Sequence, residues 1–249
     1  MMNQSSTPGR RNDLRLFRLS MLEVPGVLHA FGSRDTGTGA GVARRRIKNA
    51  FPEIEELCTI KQVHGSRVVE ARSAGDARGL RNTHADAIVS NAKGLALCVR
   101  TADCVPVLVL DPRGKATAAV HAGWKGTAAR VAAEAVKTMQ RLYGSEPASL
   151  RAGIGPCICP PHYQVDGPVI EAVEKGLGEK SQAVLFPEDE NHARLDLVKA
   201  NRIVLEEAGI PAENIEELGL CTWCRPELFF SYRREGKGVP SLYHFIMIA

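Results

Sequence analysis

No hydrophobic run in the sequence approaches the ~18 residues that a transmembrane helix requires. The segment MMNQSSTPGRRNDLRLFRLS contains paired arginines, but no apolar stretch follows them. It therefore lacks the pattern of a Sec or twin-arginine export signal. We expect no membrane partner for this chain.

Strong charge of one sign is also lacking, since the net charge is +4 and the lysines and arginines are scattered. This distribution gives little support to nucleic-acid binding and weak support to anionic small ligands. The seven cysteines are odd in number and do not resemble a secreted disulfide framework. We expect no nucleic-acid partner and a reducing, cytoplasmic location.

The chain has no internal repeat, low-complexity tract or linker rich in proline and glycine. We interpret residues 1–12 as a disordered tail and residues 13–249 as one domain, which is long enough to bury a sizeable core. Strand and helix patterns mix without strict βαβ alternation, which favours an α+β fold with a mixed sheet. Strands are predicted at 86–91, 95–100, 105–111, 116–122, 150–155, 228–234 and 241–248. Helices are predicted at 42–51, from Thr127 to Gly144, at 168–176 and at 193–208.

Three polar side chains stand at the ends of apolar segments, namely His64 in KQVHG, Cys104 in TADC and His121 in AVHAGWKG. The turn DPRGK joins the apolar strands 105–111 and 116–122 and predicts a hairpin. In an antiparallel pair, the start of one strand lies beside the end of the next. Cys104 and His121 should therefore be neighbours in space.

Such a group of side chains has three interpretations. One thiolate and two imidazoles suit Zn²⁺ and leave its fourth tetrahedral position open. A cysteine beside a histidine is also a nucleophile–base pair, because an imidazolium lowers the pKa of a thiol. The third interpretation is a buried cysteine with two hydrogen-bonded core histidines. For the pair Cys104–His121, the predicted hairpin favours the first two interpretations, metal ligation or a nucleophile–base pair, over simple core packing.

Six motifs occur in an order that resembles the YfiH-like, laccase-domain family, from about Phe31 to the C-terminus. They are KQVHG, ADAIVSN, TADCVPVL, AVHAGWKG, IGPCI and CTWCRPELFFSYRR. The resemblance implies one α/β-sandwich domain with two mixed sheets and flanking helices. It also implies Zn²⁺ held by His64, Cys104 and His121.

The activity implied by the resemblance is that of a purine nucleoside phosphorylase, which converts adenosine, inosine or methylthioadenosine and phosphate to base and ribose-1-phosphate. Adenosine deaminase activity is implied as well. Laccase chemistry is disfavoured, because a multicopper oxidase needs many histidines and this chain has seven, no two separated by one residue. Adventitious Cu²⁺ at a site with two nitrogens and one sulfur is compatible with the ligand set.

Further candidates surround these ligands. Asp103 either orients an imidazole, transfers a proton or caps a strand. Lys125 precedes a predicted helix whose amides could hold phosphate, or it is a solvated turn residue. Arg34, which matches an arginine of the resembled family, and Arg233 are anion candidates. Tyr232 can stack on a purine or pack in a core.

Four further cysteines lie in CICP, at 157 and 159, and in CTWC, at 221 and 224. A C-x₂-C pair is half of a structural zinc site, and no second pair has suitable spacing. Cys157 and Cys159 could complete the site only if the fold brings the two segments together. We otherwise interpret the four as structural thiols.

Two other functions are compatible with the residues. The first is a metal-free Cys/His thiol hydrolase that acts on peptidoglycan-type amides through Cys104 and His121. The second is a non-catalytic module that binds a metal or a partner.

Overall fold

Strands and short helices alternate irregularly in the computed structural model, which describes residues 9–11, 13–113 and 116–249. The strands are, in chain order, β1 (Gly9–Arg11), β2 (Leu14–Phe17), β3 (Val27–Gly32), β4 (Glu56–Cys58), β5 (Val68–Glu70), β6 (Ala87–Ser90), β7 (Leu95–Thr101), β8 (Val105–Asp111), β9 (Ala116–Ala122), β10 (Arg151–Ile154), β11 (Gln164–Asp166), β12 (Leu185–Pro187), β13 (His192–Leu195), β14 (Ile215–Glu217) and β15 (Leu242–Ile248). The helices are α1 (Ala40–Ala50), α2 (Ala74–Gly79), α3 (Trp124–Ala128), α4 (Val131–Tyr143), α5 (Gly167–Leu177), α6 (Leu197–Glu207) and α7 (Tyr232–Glu235).

Two six-stranded mixed sheets form the centre of the molecule. The first has the order β1-β2-β3-β15-β7-β4 and the second the order β14-β10-β8-β9-β6-β5. Parallel pairs occur at their edges, where β4 joins β7, β5 joins β6 and β10 joins β14, and the remaining pairs are antiparallel. A small antiparallel sheet, β11-β13-β12, lies outside them. The mixed-sheet prediction is confirmed.

Strand β8 explains why its sequence is apolar throughout. Successive side chains of a strand point to opposite faces of the sheet. Leu108 and Leu110 pack in a cluster with Phe31 of the first sheet, so the two sheets face each other. Val107 and Val109 pack on the other side in a cluster shared with helices α4 and α6. Both faces of β8 are therefore covered, as the near-continuous apolar run predicts.

The outer face of the first sheet is covered by α1. Ile47 of this helix and Phe51, which follows it, pack in one cluster with Phe245 of β15. The rings of Phe51 and Phe245 meet edge to face with centroids 5.2 Å apart. The domain is thus a sandwich of helices, two sheets and helices. Within the described part of the chain, no helix is long and apolar enough to cross a membrane.

Three predicted elements differ from the structure. The helix predicted at 193–208 begins at Leu197, because residues 192–195 form β13 and the Asp196 carboxylate caps the helix by accepting from the Lys199 amide. Residues 228–234 are not a strand, since Ser231 caps the short helix α7 through the Arg234 amide. Thr127 is not an N-cap but lies inside α3.

The N-terminal prediction also needs a correction. Residues 9–11 form β1, which pairs antiparallel with β2 across the register Gly9↔Leu16. The predicted disordered tail is therefore wrong for these three residues. Residues 1–8, 12, 114 and 115 lie outside the described residues.

Candidate metal centre

The hairpin of β8 and β9 brings two of the candidate ligands together. Pro106 is paired with His121 in the antiparallel register, so Cys104 begins the hairpin where His121 ends it. His64 reaches the same point from the loop between β4 and β5. The ligand atoms of His64, Cys104 and His121 all lie within 4.8 Å of one another. The imidazole rings of His64 and His121 meet edge to face, with centroids 4.8 Å apart.

The His64 loop is held by a buried carboxylate. The amide N–H groups of His64 and Gly65 donate to the Asp86 carboxylate at 2.9 and 2.7 Å, and the Val63 amide donates to it at 3.2 Å. Consecutive amides that converge on an anion require an unusual backbone, and His64 has a φ of 60°. Histidine is among the residues that adopt this left-handed conformation more readily.

The same carboxylate orients the second imidazole. His121 Nδ1 lies 2.8 Å from Asp86 Oδ1, and Asp86 is fully buried. Burial opposes the charge of Asp86, yet the hydrogen bonds from His121 and from the Gly65 amide hold the pKa of its carboxyl below the usual range. An imidazole that donates Nδ1–H to a carboxylate presents Nε2 as its ligand atom.

Asp86 has no role that the sequence alone predicts. The signal lies in the antiparallel pairing of β6 with β9, in which Ala87 is paired with Val120. The His121 amide donates to the Asp86 carbonyl at 2.7 Å, so the two residues are neighbours across the sheet. Both strands were predicted, but their pairing was not.

Gly123 closes the group from the other side. A Cβ atom at this position would lie 2.9 Å from Cys104 Sγ and 2.9 Å from His64 Cδ2. Both distances are shorter than carbon–sulfur and carbon–carbon van der Waals contacts allow. The missing side chain therefore leaves the space in which the thiol and the imidazole converge, and the ligand set fits a metal of the zinc or copper type.

Charge within the group is strongly coupled. Burial opposes ionisation of the thiol, but the adjacent His121 charge and the hydrogen bonds from both imidazoles lower the pKa of Cys104 to about 6. Burial likewise opposes the His121 charge, whereas the Cys104 thiolate and Asp86 raise the pKa of His121 to about 9. A thiolate at neutral pH is suited both to metal ligation and to nucleophilic attack.

Asp103 has a different task from the imidazole orientation considered for it. Its carboxylate accepts hydrogen bonds from Thr222 Oγ1 at 2.5 Å, Ser231 Oγ at 3.0 Å and the Arg233 amide at 2.7 Å. Asp86 holds the imidazole instead. Asp103 has a φ of 90° and immediately precedes Cys104. Its hydrogen bonds therefore link the segment 222–235, which ends in α7, to the candidate metal ligand.

The hydrogen bond from the Arg233 amide to Asp103 holds Tyr232 and Arg233 near the candidate metal ligands. The Arg233 guanidinium lies 5.1 Å from the centroid of the Tyr163 ring and donates to the Gln164 carbonyl at 3.0 Å. Burial is the main cause that raises the pKa of Tyr163, and the nearby Cys104 adds to it. Tyr232 is 57% exposed, so core packing is excluded for this tyrosine.

Arg34 and Lys125 are engaged differently. The Arg34 guanidinium lies 4.6 Å from the centroid of the Phe230 ring and 3.5 Å from the Glu235 carboxylate, so it packs on the same segment. Lys125 Nζ lies 5.2 Å from the centroid of the Trp124 ring, within α3. Arg34 therefore packs on the segment 222–235, and the Lys125 side chain stays on α3. Neither has a described contact with His64, Cys104 or His121.

The fold and the group together define a class of protein, an α/β sandwich in which a central hairpin presents a His–Cys–His set of metal-ligand type. Residues 29–249 match the family described as multi-copper polyphenol oxidoreductase laccase, and the chain belongs to this family. The resemblance carried by the six sequence motifs is confirmed.

Relatives and solved structures agree with this assignment. A purine nucleoside phosphorylase of Deinococcus radiodurans is 36% identical over 243 residues, covering 89% of this chain and 88% of the relative. Adenosine deaminase RL5, from an unknown prokaryotic organism, is 35% identical over 189 residues, covering 74% of this chain and 72% of the relative. The crystal structure of Bacillus licheniformis hypothetical protein YfiH has a TM-score of 0.85 at 30% identity and covers 95% of this chain and 96% of that one.

Proposed function

We propose that this chain is a zinc-dependent purine nucleoside phosphorylase with adenosine deaminase activity, acting in the cytoplasm on adenosine, inosine or methylthioadenosine. The observation that carries the proposal is the convergence of His64, Cys104 and His121 within 4.8 Å. Three protein ligands leave one tetrahedral position for a reactant, which is typical of catalytic rather than structural zinc. Relatives named purine nucleoside phosphorylase and adenosine deaminase support the choice of reaction.

The residues that would hold the metal are His64, Cys104 and His121, with Asp86 fixing the orientation of His121. A zinc ion held there would supply Lewis-acid chemistry to the reaction. Phosphorolysis breaks the bond between C1′ of the ribose and N9 of the purine, and phosphate becomes bonded to C1′. The chain must therefore bind an anion beside the sugar and stabilise negative charge on the departing base.

Arg233 is the residue we assign to the anion. Its backbone is fixed by Asp103, next to the ligand Cys104, at 2.7 Å. Its guanidinium is oriented by the Tyr163 ring and the Gln164 carbonyl and carries the donor geometry that suits phosphate. Tyr232, adjacent and exposed, offers a ring on which a purine can stack. Asp103 keeps a predicted role in proton transfer, and Arg34 and Lys125 keep predicted roles in substrate binding.

To test the proposal, adenosine and inosine are incubated with pure enzyme, with and without phosphate. The products are identified by ³¹P nuclear magnetic resonance and chromatography. Ribose-1-phosphate and free base should form only with phosphate, and adenosine should also yield inosine. Base release that does not depend on phosphate would make the chain a hydrolase of nucleosides and would refute phosphorolysis.

A pair of variants tests the anion assignment. Arg233→Met removes the guanidinium and should raise the KM for phosphate about tenfold or more, since a charged hydrogen bond contributes about 1.5–3 kcal/mol. Arg225→Met is the matched control, because Arg225 lies on the same segment and its described partner is Glu227. An equal effect of both variants would count against Arg233 as the phosphate ligand.

The thiol hydrolase remains the second candidate, because one thiol flanked by two imidazoles also fits a nucleophile with its base. Metal analysis of protein prepared without chelator or a nickel column separates the two. Zinc that falls by about one ion per chain in His64→Ala supports the phosphorylase. Protein without metal at His64, Cys104 and His121 that cleaves peptidoglycan-type amides would support the hydrolase.

A further inference from the structure

A second cluster of metal-ligand side chains lies outside the proposed active site. Cys159 and His162 form a C-x₂-H pair, and Cys221 and Cys224 form the C-x₂-C pair noted in the sequence. The ligand atoms of the four residues all lie within 4.8 Å of one another. The sequence suggested Cys157 and Cys159 as partners of the C-x₂-C pair, whereas the structure brings Cys159 and His162 there.

The distances within the cluster match a tetrahedral zinc site. Cys159 Sγ lies 3.3 Å from His162 Nδ1 and 4.0 Å from Cys224 Sγ, and Cys224 Sγ lies 3.5 Å from His162 Nδ1. Zinc bonds of ~2.3 Å to sulfur and ~2.0–2.1 Å to nitrogen give tetrahedral edges of about 3.8 Å between two sulfurs and about 3.5 Å between sulfur and nitrogen. The side chains therefore stand near metal-binding positions.

Parallel strand pairing brings the two halves together although 62 residues separate Cys159 from Cys221. β10 and β14 run parallel, with Ile154 opposite Glu217. The segments that follow the two strands continue in the same direction to a parallel bridge between Cys157 and Cys221. Beyond this bridge, the Cys159 amide donates to Cys221 Sγ at 3.3 Å, which is the kind of contact that stabilises a thiolate.

Cys157 itself does not belong to the cluster. Its thiol is fully buried and lies against the Ile158 carbonyl at 3.4 Å. The four cluster residues are less buried, since Cys159, His162 and Cys221 are half-buried and Cys224 is exposed. A cleft of about 220 Å³, lined in part by Cys159 and Cys221, gives access to the thiols.

We propose that Cys159, His162, Cys221 and Cys224 form a second, structural zinc site. Three thiolates and one imidazole complete a tetrahedron, so no position is left for a substrate, in contrast to the three-ligand group. A tetrahedral set of three cysteines and one histidine is typical of structural zinc. The proposal does not depend on the nucleoside chemistry proposed above.

The second zinc site would stabilise one side of the proposed active site. Thr222, between the two cysteines of the C-x₂-C pair, donates to the Asp103 carboxylate, which also holds the Arg233 amide. The Arg234 guanidinium donates to the Thr222 and Trp223 carbonyls at 2.7 Å each. Metal binding would therefore stabilise the segment that presents Tyr232 and Arg233.

Metal counting tests the proposal on the full-length protein, prepared under reducing conditions with any affinity tag removed. Native mass spectrometry of the wild type, supplied with zinc, should show two zinc ions per chain. His64→Ala and Cys224→Ala should each retain one. Cys157→Ala is the matched control, because it removes a neighbouring thiol outside the cluster, and it should retain two.

Cobalt substitution on the unaltered chain gives a test that needs no variant. A site with three thiolates gives much stronger sulfur-to-cobalt charge-transfer absorption than a site with one. The Trp223 ring stacks on His162 with centroids 5.3 Å apart, so filling this site should also change tryptophan fluorescence. His64→Ala should retain both signals if the second site exists.

A chain that binds one metal ion, with that ion lost in His64→Ala, would overturn the proposal. So would a disulfide between Cys159 and Cys224 that persists under the reducing preparation, detected as a mass two hydrogens lower. Two metal ions with unchanged binding in Cys224→Ala would also contradict it.

Discussion

The Asp86 carboxylate lies 2.8 Å from His121 Nδ1 and also accepts the amide hydrogens of His64 and Gly65. One buried carboxylate thereby positions two of the three side chains that we assign to the metal. Asp86 positions these side chains without being one of the proposed ligands, so replacing it should weaken metal binding.

Asp86→Asn should weaken metal binding by about 10–100-fold, the range observed when partners of ligating histidines are replaced. The amide keeps the shape but cannot serve as the charged acceptor of three amides and an imidazole. Competition with a chromophoric chelator measures the affinity. Asp76→Asn is the matched control, because Asp76 lies in α2 and pairs with the exposed Arg72. Equal affinities in Asp86→Asn and wild type would refute this role.

Gly123→Ala should lose the metal held by His64, Cys104 and His121, since the new Cβ would stand 2.9 Å from both Cys104 Sγ and His64 Cδ2. The thiol and the imidazole would have to move apart, and metal content with activity should fall together. Gly79→Ala, where a Cβ meets open space, is the control and should behave as wild type. Elemental analysis after gel filtration is the readout. Full metal occupancy in Gly123→Ala would contradict the proposed convergence.

Cys104→Asp distinguishes ligation from nucleophilic attack. A carboxylate also binds zinc, so this variant should keep metal between His64 and His121 with reduced affinity and keep some phosphorolysis, whereas Cys104→Ala should lose that metal and the activity. A thiol nucleophile predicts no activity in either variant, because neither can form the covalent intermediate. Metal content and initial rates are measured on the same preparations. Metal retained with activity abolished in Cys104→Asp would favour the nucleophile.

Stability should fall as the pH drops below about 6.5, because of buried histidines. Burial, and to a lesser extent the charge of Arg18, lowers the pKa of His29 to about 3, and its Nε2 accepts the Leu19 amide. The unfolded chain therefore binds the proton more readily than the folded one between pH 6.5 and 3. The contribution of neutral His29 to the free energy of unfolding is complete above pH 6.5. Below that pH it is lost at about 1.4 kcal/mol per pH unit.

Urea unfolding from pH 7.5 to 5 measures this slope. His29→Gln, which keeps an acceptor but does not titrate, should show a shallower loss of the unfolding free energy than the wild type. Parallel slopes for the two proteins would exclude His29 as a source of the acid sensitivity.

The central hairpin could be predicted because its determinants are local. Apolar runs on both sides of a proline- and glycine-containing turn define the two strands, and antiparallel geometry then places Cys104 beside His121. Asp86 could not be assigned, since its role depends on which strand pairs with β9, and this pairing is a property of the whole sheet.

The second cluster shows the same limit at longer range. The C-x₂-C pair was visible, but its partners are set by the parallel pairing of β10 with β14. The error at 228–234 has a local cause instead, because the Ser231 cap overrides the strand preference of the preceding aromatics. Capping side chains are short-range signals that compete with hydrophobic pattern.

Anomalous diffraction from crystals grown with zinc, recorded above and below the zinc absorption edge, tests the central claim most directly. We expect a peak ~2.0–2.1 Å from a ring nitrogen of His64 and of His121, and ~2.3 Å from Cys104 Sγ, with His121 Nδ1 turned to Asp86. A zinc-loaded crystal with no peak at these three side chains, or with Cys104 Sγ outside bonding distance of the metal, would contradict the account.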